Sequence, residues 1–122
     1  MNLSLYQRIG GEVTVQAVVN IFYDKFKKNN QIEMFFDGIS MPNQVKIMQR
    51  FITIVLKGDT EYNRVAMRRA HAPLVRKGLN SYHVDLFTQT MIDSLMQLNV
   101  PKELIGEFRD ISESYRDDVL NR

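Results

Sequence analysis

The chain contains no cysteine. That absence removes disulfides, thiolate metal sites and thiol nucleophiles together; a reducing, cytoplasmic setting is the expectation that fits it. No apolar run approaches the roughly 20 residues that a membrane span needs, so no membrane partner is expected. The opening residues, MNLSLYQRIGGE, lack the basic-then-apolar order of a secretory signal. No glycine-rich phosphate loop follows a strand, and neither G-x-S-x-G nor H-E-x-x-H occurs. Enzymatic chemistry without a cofactor has little to work with. Excess charge is also scarce, with 16 basic and 14 acidic residues for a net +2. The basic residues gather at Lys25, Lys27 and Lys28, then at Arg64, Arg68, Arg69, Arg76 and Lys77. Nucleic-acid binders carry a denser stripe interleaved with exposed aromatics. These clusters read as solvated helix faces, and no nucleic-acid partner is expected. Histidine occurs only at His71 and His83. With no carboxylate at ligand spacing, the pair makes a poor zinc site.

What remains is a chain patterned for helices. Its 122 residues, 44% hydrophobic and 25% charged, suit one globular domain spanning 1–122 with a real core. LSLYQRI is a short opening helix stopped by Gly10-Gly11. From Val13 to Lys28, the residues Val15, Val18, Val19, Phe22, Tyr23 and Phe26 recur on one face at the helical period. A connector follows to Ser40, with one helical turn near Ile32 to Phe36 and the pair Phe35-Phe36 packed inward. Ser40 as N-cap and Pro42 in the first turn open a helix to about Leu56, with Met41, Val45, Met48, Ile52 and Val55 inward. Asp59 to Val65 reads as a loop. Pro73 lacks an amide donor and disfavours helical geometry at Ala72, so the helix holding His71 should be short and end at Gly78. Asn80-Ser81 caps a helix to about Leu98 that faces inward with Val84, Phe87, Met91, Ile92 and Leu95. Pro101 and Glu103 open a last helix with Leu104, Ile105, Phe108, Ile111, Tyr115 and Val119 inward. Four substantial helices and two short ones make an all-α domain, without repeats or strands.

Three polar residues stand on or beside faces that this pattern buries: Tyr23, Gln44 and His71. Leaving such a group unpaired costs on the order of 1–3 kcal/mol, so each needs a partner. A satisfied core residue explains any one of them alone. His83, in the first turn of a helix, can face solvent. His71 is different, because Met67, Ala70, Leu74 and Val75 surround it on one helical face. One imidazole opposite a wide apolar space suits haem, a large apolar disc that takes a single neutral nitrogen on one side.

In this order the segments LYQRIGG, NIFYDKF, MFFDGISMPNQ, MRRAH, LNSYHVDLF and NVPKELI resemble the group I truncated haemoglobins, the two-over-two globins of bacteria, cyanobacteria, ciliates and green algae. The resemblance runs over nearly the whole chain, to YRDDVLN. It implies a truncated-globin fold, a two-over-two helical sandwich around haem b (iron protoporphyrin IX). His71 matches the proximal iron ligand and Tyr23 the distal tyrosine, with Phe22 the aromatic before it. Phe36 matches the residue that wedges against the porphyrin, Gln44 a distal-helix position, Met48 the position one turn on, and Gly10-Gly11 the glycine pair between the first helices. Phe51, Met67, Phe87 and Met91 are expected to pack on the disc with Phe22 and Phe36. Arg64, Arg68 or Lys46 is expected to meet its propionates. The chain departs from the family at Lys57-Gly58, where a second glycine pair is usual, and at Tyr62-Asn63-Arg64-Val65, where Tyr-x-Gly-Arg is common. Ile47 and Tyr115 stand where some cyanobacterial members carry a sixth-ligand histidine or one bonded covalently to haem. Neither feature is therefore expected here.

The resemblance implies reversible binding of oxygen, and of nitric oxide and carbon monoxide, at five-coordinate iron by a monomer, and so oxygen transport or storage. It also allows nitric oxide dioxygenase activity, for which an external reductase would have to restore ferrous iron. A haem-free helical interaction module is the third reading.

Overall fold

The computed structural model describes residues 3–58 and 60–122, the side chains of 60–63 excepted. Helices follow one another as α1 (Leu5–Arg8), α2 (Gly11–Phe26), α3 (Met41–Lys57), α4 (Thr60–Arg76), α5 (Ser81–Gln97), α6 (Lys102–Ser114) and α7 (Arg116–Leu120), with a 3-10 turn at Glu33–Phe36. No described residue lies in a strand, and no described helix is long and apolar enough to cross a membrane. The pair α2–α3 lies over the pair α5–α6, with α2 packed on both α3 and α5. The all-α domain expected from the periodicity, and the two-over-two sandwich that the resemblance implied, are the architecture found.

Local chemistry sets the ends of these elements. Ser4 caps α1 through a reciprocal box with Gln7: its hydroxyl accepts from the Gln7 amide at 3.2 Å, and Gln7 Oε1 accepts from the Ser4 amide at 3.1 Å. Gly10 then turns the chain into α2 at φ +119°, and a Cβ there would collide with the Thr14 hydroxyl. Only glycine fits that corner. The apolar face of α2 supplies the centre of the core: Val15, Val18, Val19, Phe22 and Tyr23 are all buried, joined by Ile52, Leu56, Met91, Ile92, Leu95, Ile105 and Phe108 from the other long helices. Burying a large apolar side chain contributes about 1.5–3 kcal/mol, so this cluster dominates the stability of the sandwich.

The structure corrects several sequence expectations. Asp59 lies outside the described residues, but the rest of the expected loop is helical: α4 begins at Thr60 and carries Pro73 within it. A proline inside a helix costs about 3 kcal/mol by losing a hydrogen bond and crowding the preceding turn. Contacts from α7, absent from any local reading, hold α4 in place. The expected single C-terminal helix is broken by a turn at Tyr115, whose amide donates to the Ser112 carbonyl three residues back instead of four. Past the break, Arg116 reaches back to Ser81 and Asp85 at the start of α5, and α7 turns onto α4. Five substantial helices result, not four. Ser40 occupies the N-cap of α3 but makes no side-chain cap bond.

His83 also differs from expectation, being buried at 8% exposure. Its Nδ1 accepts from the Asn80 amide at 3.0 Å while Asn80 Oδ1 accepts from the Tyr82 amide at 2.9 Å. Its ring meets Phe35 edge to face at 5.1 Å. A capping role hides this imidazole. Asn80→Ala should lower stability by about 1 kcal/mol, the usual worth of a lost N-cap, measured as a reduced denaturant midpoint with unchanged slope.

Candidate functional site

The distal candidates converge. Phe22 and Tyr23 are adjacent on α2, yet at the inner edge of the face both are buried, at 0% and 3% exposure. The two rings meet edge to face at 4.9 Å. Phe36, brought in by the 3-10 turn, stands edge-on to Tyr23 at 5.8 Å, and Phe87 of α5 stands edge-on to Phe22 at 5.1 Å. Phe26, noted in the sequence only as part of the α2 stripe, stacks on Phe22 at 4.6 Å. Met91 is buried in the same cluster, and Met48 packs against it half-buried. Phe51 is half-buried on α3 outside that cluster.

The Tyr23 hydroxyl has the partner its burial demands. Gln44, half-buried one turn into α3, donates its Nε2–H to the phenol oxygen at 3.1 Å. With one lone pair so engaged, the phenol keeps its own O–H to donate elsewhere. Burial pushes the phenol up to about 12, against a smaller downward pull from Gln44. It therefore stays protonated, and a donor, throughout the physiological range.

The proximal candidate sits on α4. His71 is half-buried, with Met67, Leu74 and Val75 half-buried on its face and Ala70 exposed. Its Nδ1 lies 2.8 Å from the carbonyl oxygen of Met67, one turn back. A carbonyl only accepts, so Nδ1 carries the proton and Nε2 keeps a free lone pair. Burial holds the imidazole below its ordinary 6.5, outweighing the opposite pull of that bond. The result is a neutral imidazole in the tautomer that presents Nε2. This donor fits the iron of a haem: one neutral nitrogen, oriented by a backbone carbonyl behind it. Among the described residues no group of three or more His, Asp or Glu could hold a metal ion.

Arg64 and Arg68, expected at a propionate, turn instead toward α7. Arg64 Nη1 lies 2.6 Å and Arg68 Nε 2.8 Å from the two oxygens of Asp118. Lys46 lines a surface groove between α2 and α3 with Glu12, Gln16 and Arg50. Sequence reasoning missed Asp118 and Asn121, whose side chains both bond to α4. The signal was there as an acidic residue on a terminal stripe, but only the break at Tyr115 reveals which helix it meets.

The family model described as bacterial-like globin matches residues 4–121. A group 1 truncated hemoglobin of Synechocystis sp. (strain PCC 6803) is 31% identical over 122 residues, covering 98% of each chain. The 2/2 hemoglobin of Synechococcus sp. PCC 7002, solved in the cyanomet state with covalently attached heme, superposes with a TM-score of 0.90 at 33% identity, covering 98% of this chain and 100% of that one. The Fe(III) truncated hemoglobin of Tetrahymena pyriformis gives a TM-score of 0.85 at 29% identity, covering 97% and 98%.

Alkaline titration tests the distal assignment without any cofactor. In the unfolded chain Tyr23 ionises near its ordinary 10.0, and in the fold near 12. The folded state thus holds the proton more tightly, and its stabilisation is full below pH 10 and lost as pH rises toward 12. Absorbance of the phenolates should include a tyrosine step near pH 12, and Tyr23→Phe should remove one tyrosine from it.

Proposed function

This chain belongs to the bacterial-like globin family and is a group 1 truncated haemoglobin, and on that premise we propose that it binds haem b through His71 and takes up oxygen reversibly beside Tyr23 and Gln44. The observation that carries the reading is the 2.8 Å bond of His71 Nδ1 to the Met67 carbonyl, which leaves Nε2 as a neutral ligand. Haem, when bound, would be held by the His71 nitrogen and would supply an iron that takes up a diatomic gas and draws negative charge onto it. Tyr23 would donate its O–H toward that charge. Gln44, donating to the phenol oxygen at 3.1 Å, restricts the rotation of the hydroxyl and strengthens it as a donor. A hydrogen bond to a charged acceptor contributes about 1.5–3 kcal/mol, roughly ten- to a hundredfold in affinity. Most of that gain should appear as slow release, because the bond exists only after the gas has arrived.

Phe22, Phe36, Met48, Phe51, Met67, Phe87 and Met91 supply the apolar surface that grips the porphyrin and excludes water. With Arg64 and Arg68 engaged by Asp118, Lys46 is the cation left among those three for a propionate. Tyr115 has no imidazole to offer for a covalent link, so the haem of this chain is proposed to be held without a bond at that position, unlike the covalently attached heme of the Synechococcus protein.

Optical spectra of the ferric, ferrous, oxygenated and carbonyl forms test the reading. His71→Ala should abolish the wild-type ferrous spectrum, and an unaltered spectrum would overturn the ligand assignment. Tyr23→Phe should speed oxygen release about tenfold, on the same hydrogen-bond arithmetic; an unmoved rate would remove Tyr23 as the main donor. Acidified organic solvent should extract all the pigment from the wild-type protein, whereas retained pigment would mean a covalent bond.

A further inference from the structure

The helix that carries His71 packs chiefly against α7. Pro73 has no amide proton to give the Arg69 carbonyl, so α4 lacks one of its own bonds across the turn that contains His71. The stretch just before it is fastened to α7 instead. Asn121 donates its Nδ2–H to the Arg68 carbonyl at 3.0 Å. Asp118, 7% exposed at its side chain, accepts from Arg64 at 2.6 Å and from Arg68 at 2.8 Å. Arg64 Nη1 also donates to the Ser114 carbonyl at 3.0 Å and Arg68 Nη2 to the Arg122 carbonyl at 3.2 Å. The Arg64 guanidinium lies over the Tyr115 ring at 5.0 Å.

Residues 64, 68 and 71 occupy one stripe of a helix, at positions i, i+4 and i+7. A single buried carboxylate therefore bridges two guanidiniums within two turns of the imidazole. Without it, two like charges would adjoin on α4 and lose the counter-charge that ties them to α7. Asn121 is held in the left-handed region at φ 56° and ψ 46°, a conformation in which Asn is among the few tolerated side chains. That conformation ends α7 and accompanies the side-chain bond to α4.

We infer that α7 is a brace for the proximal helix, with Asp118 and Asn121 as positioning residues that set the orientation of His71 toward the haem iron. Neither touches the cofactor. Both act through Arg64, Arg68 and the backbone one turn before the imidazole. The inference rests on His71 being the iron ligand.

The test uses the haem-loaded protein with Asp118→Asn, Asn121→Gly and, as control, His71→Ala. Asn121→Gly removes the side-chain bond while glycine suits the left-handed φ, so it keeps the inference testable should Asp118→Asn fail to fold. Each brace variant should release haem to an excess of an apoglobin acceptor about tenfold faster, the usual scale for groups that orient a metal ligand. The ferrous iron–imidazole stretching band in resonance Raman spectra should shift, with Asp118→Glu closer to wild type. Unchanged release rates and an unmoved band in both folded variants would overturn the brace. A His71→Ala protein that keeps the wild-type band would instead overturn the ligand assignment. Loss of the band in His71→Ala alone, with both brace variants like wild type, would overturn the brace while leaving the ligand standing.

Discussion

The hydrogen bond between His71 Nδ1 and the Met67 carbonyl decides which nitrogen of the imidazole is left for a metal. Imidazole has two chemically distinct nitrogens, and a helix carbonyl one turn back can bind only the protonated one. Burial adds a second constraint by disfavouring the charged ring. Together they produce a neutral ligand with a defined direction before any cofactor arrives. The same bond lies within α4, so whatever sets the position of α4 sets the position of Nε2.

Opposite requirements govern the distal side. A phenol buried at 3% exposure has to be satisfied, yet to serve a gas ligand it must keep a proton to give. Gln44 meets both demands because its amide nitrogen donates to the oxygen and leaves the O–H unused. Had the partner been a carboxylate, the phenol would have donated to it and lost that capacity. The aromatic cluster of Phe22, Phe26, Phe36 and Phe87 surrounds the pair with apolar edges, which keeps water from competing for the hydroxyl.

Much of this was legible in the residues. The stripes of α2, α3, α5 and α6 follow the helical period closely, and most of their buried members are those that periodicity names, Leu56, His83 and Ser94 being exceptions. The anomaly of His71 on an apolar face pointed to haem before any family resemblance was invoked. Two features stayed hidden for physical reasons. Residues 60–76 carry a weak stripe, many charges and an internal proline, so local rules predict a loop to Val65 and only a short helix beyond it, where the structure has one helix packed on α7. His83 looks like a surface residue because its first-turn position normally faces water. Burial follows from its reciprocal cap with Asn80 and its contact with Phe35, a residue 48 positions earlier. The propionate assignment of Arg64 and Arg68 failed to anticipate Asp118 for the same reason: a sequence shows charges but not which ones meet.

A gas-binding globin of this kind depends on a hierarchy of supports. The sandwich of α2, α3, α5 and α6 fixes the apolar walls, α7 steadies α4, and the Met67 carbonyl aims the ring. The most direct measurement is a crystal structure of the haem-loaded protein. The account predicts iron bonded to Nε2 of His71, with Nδ1 still donating to the Met67 carbonyl. Iron held by any other residue, or by Nδ1, would contradict it.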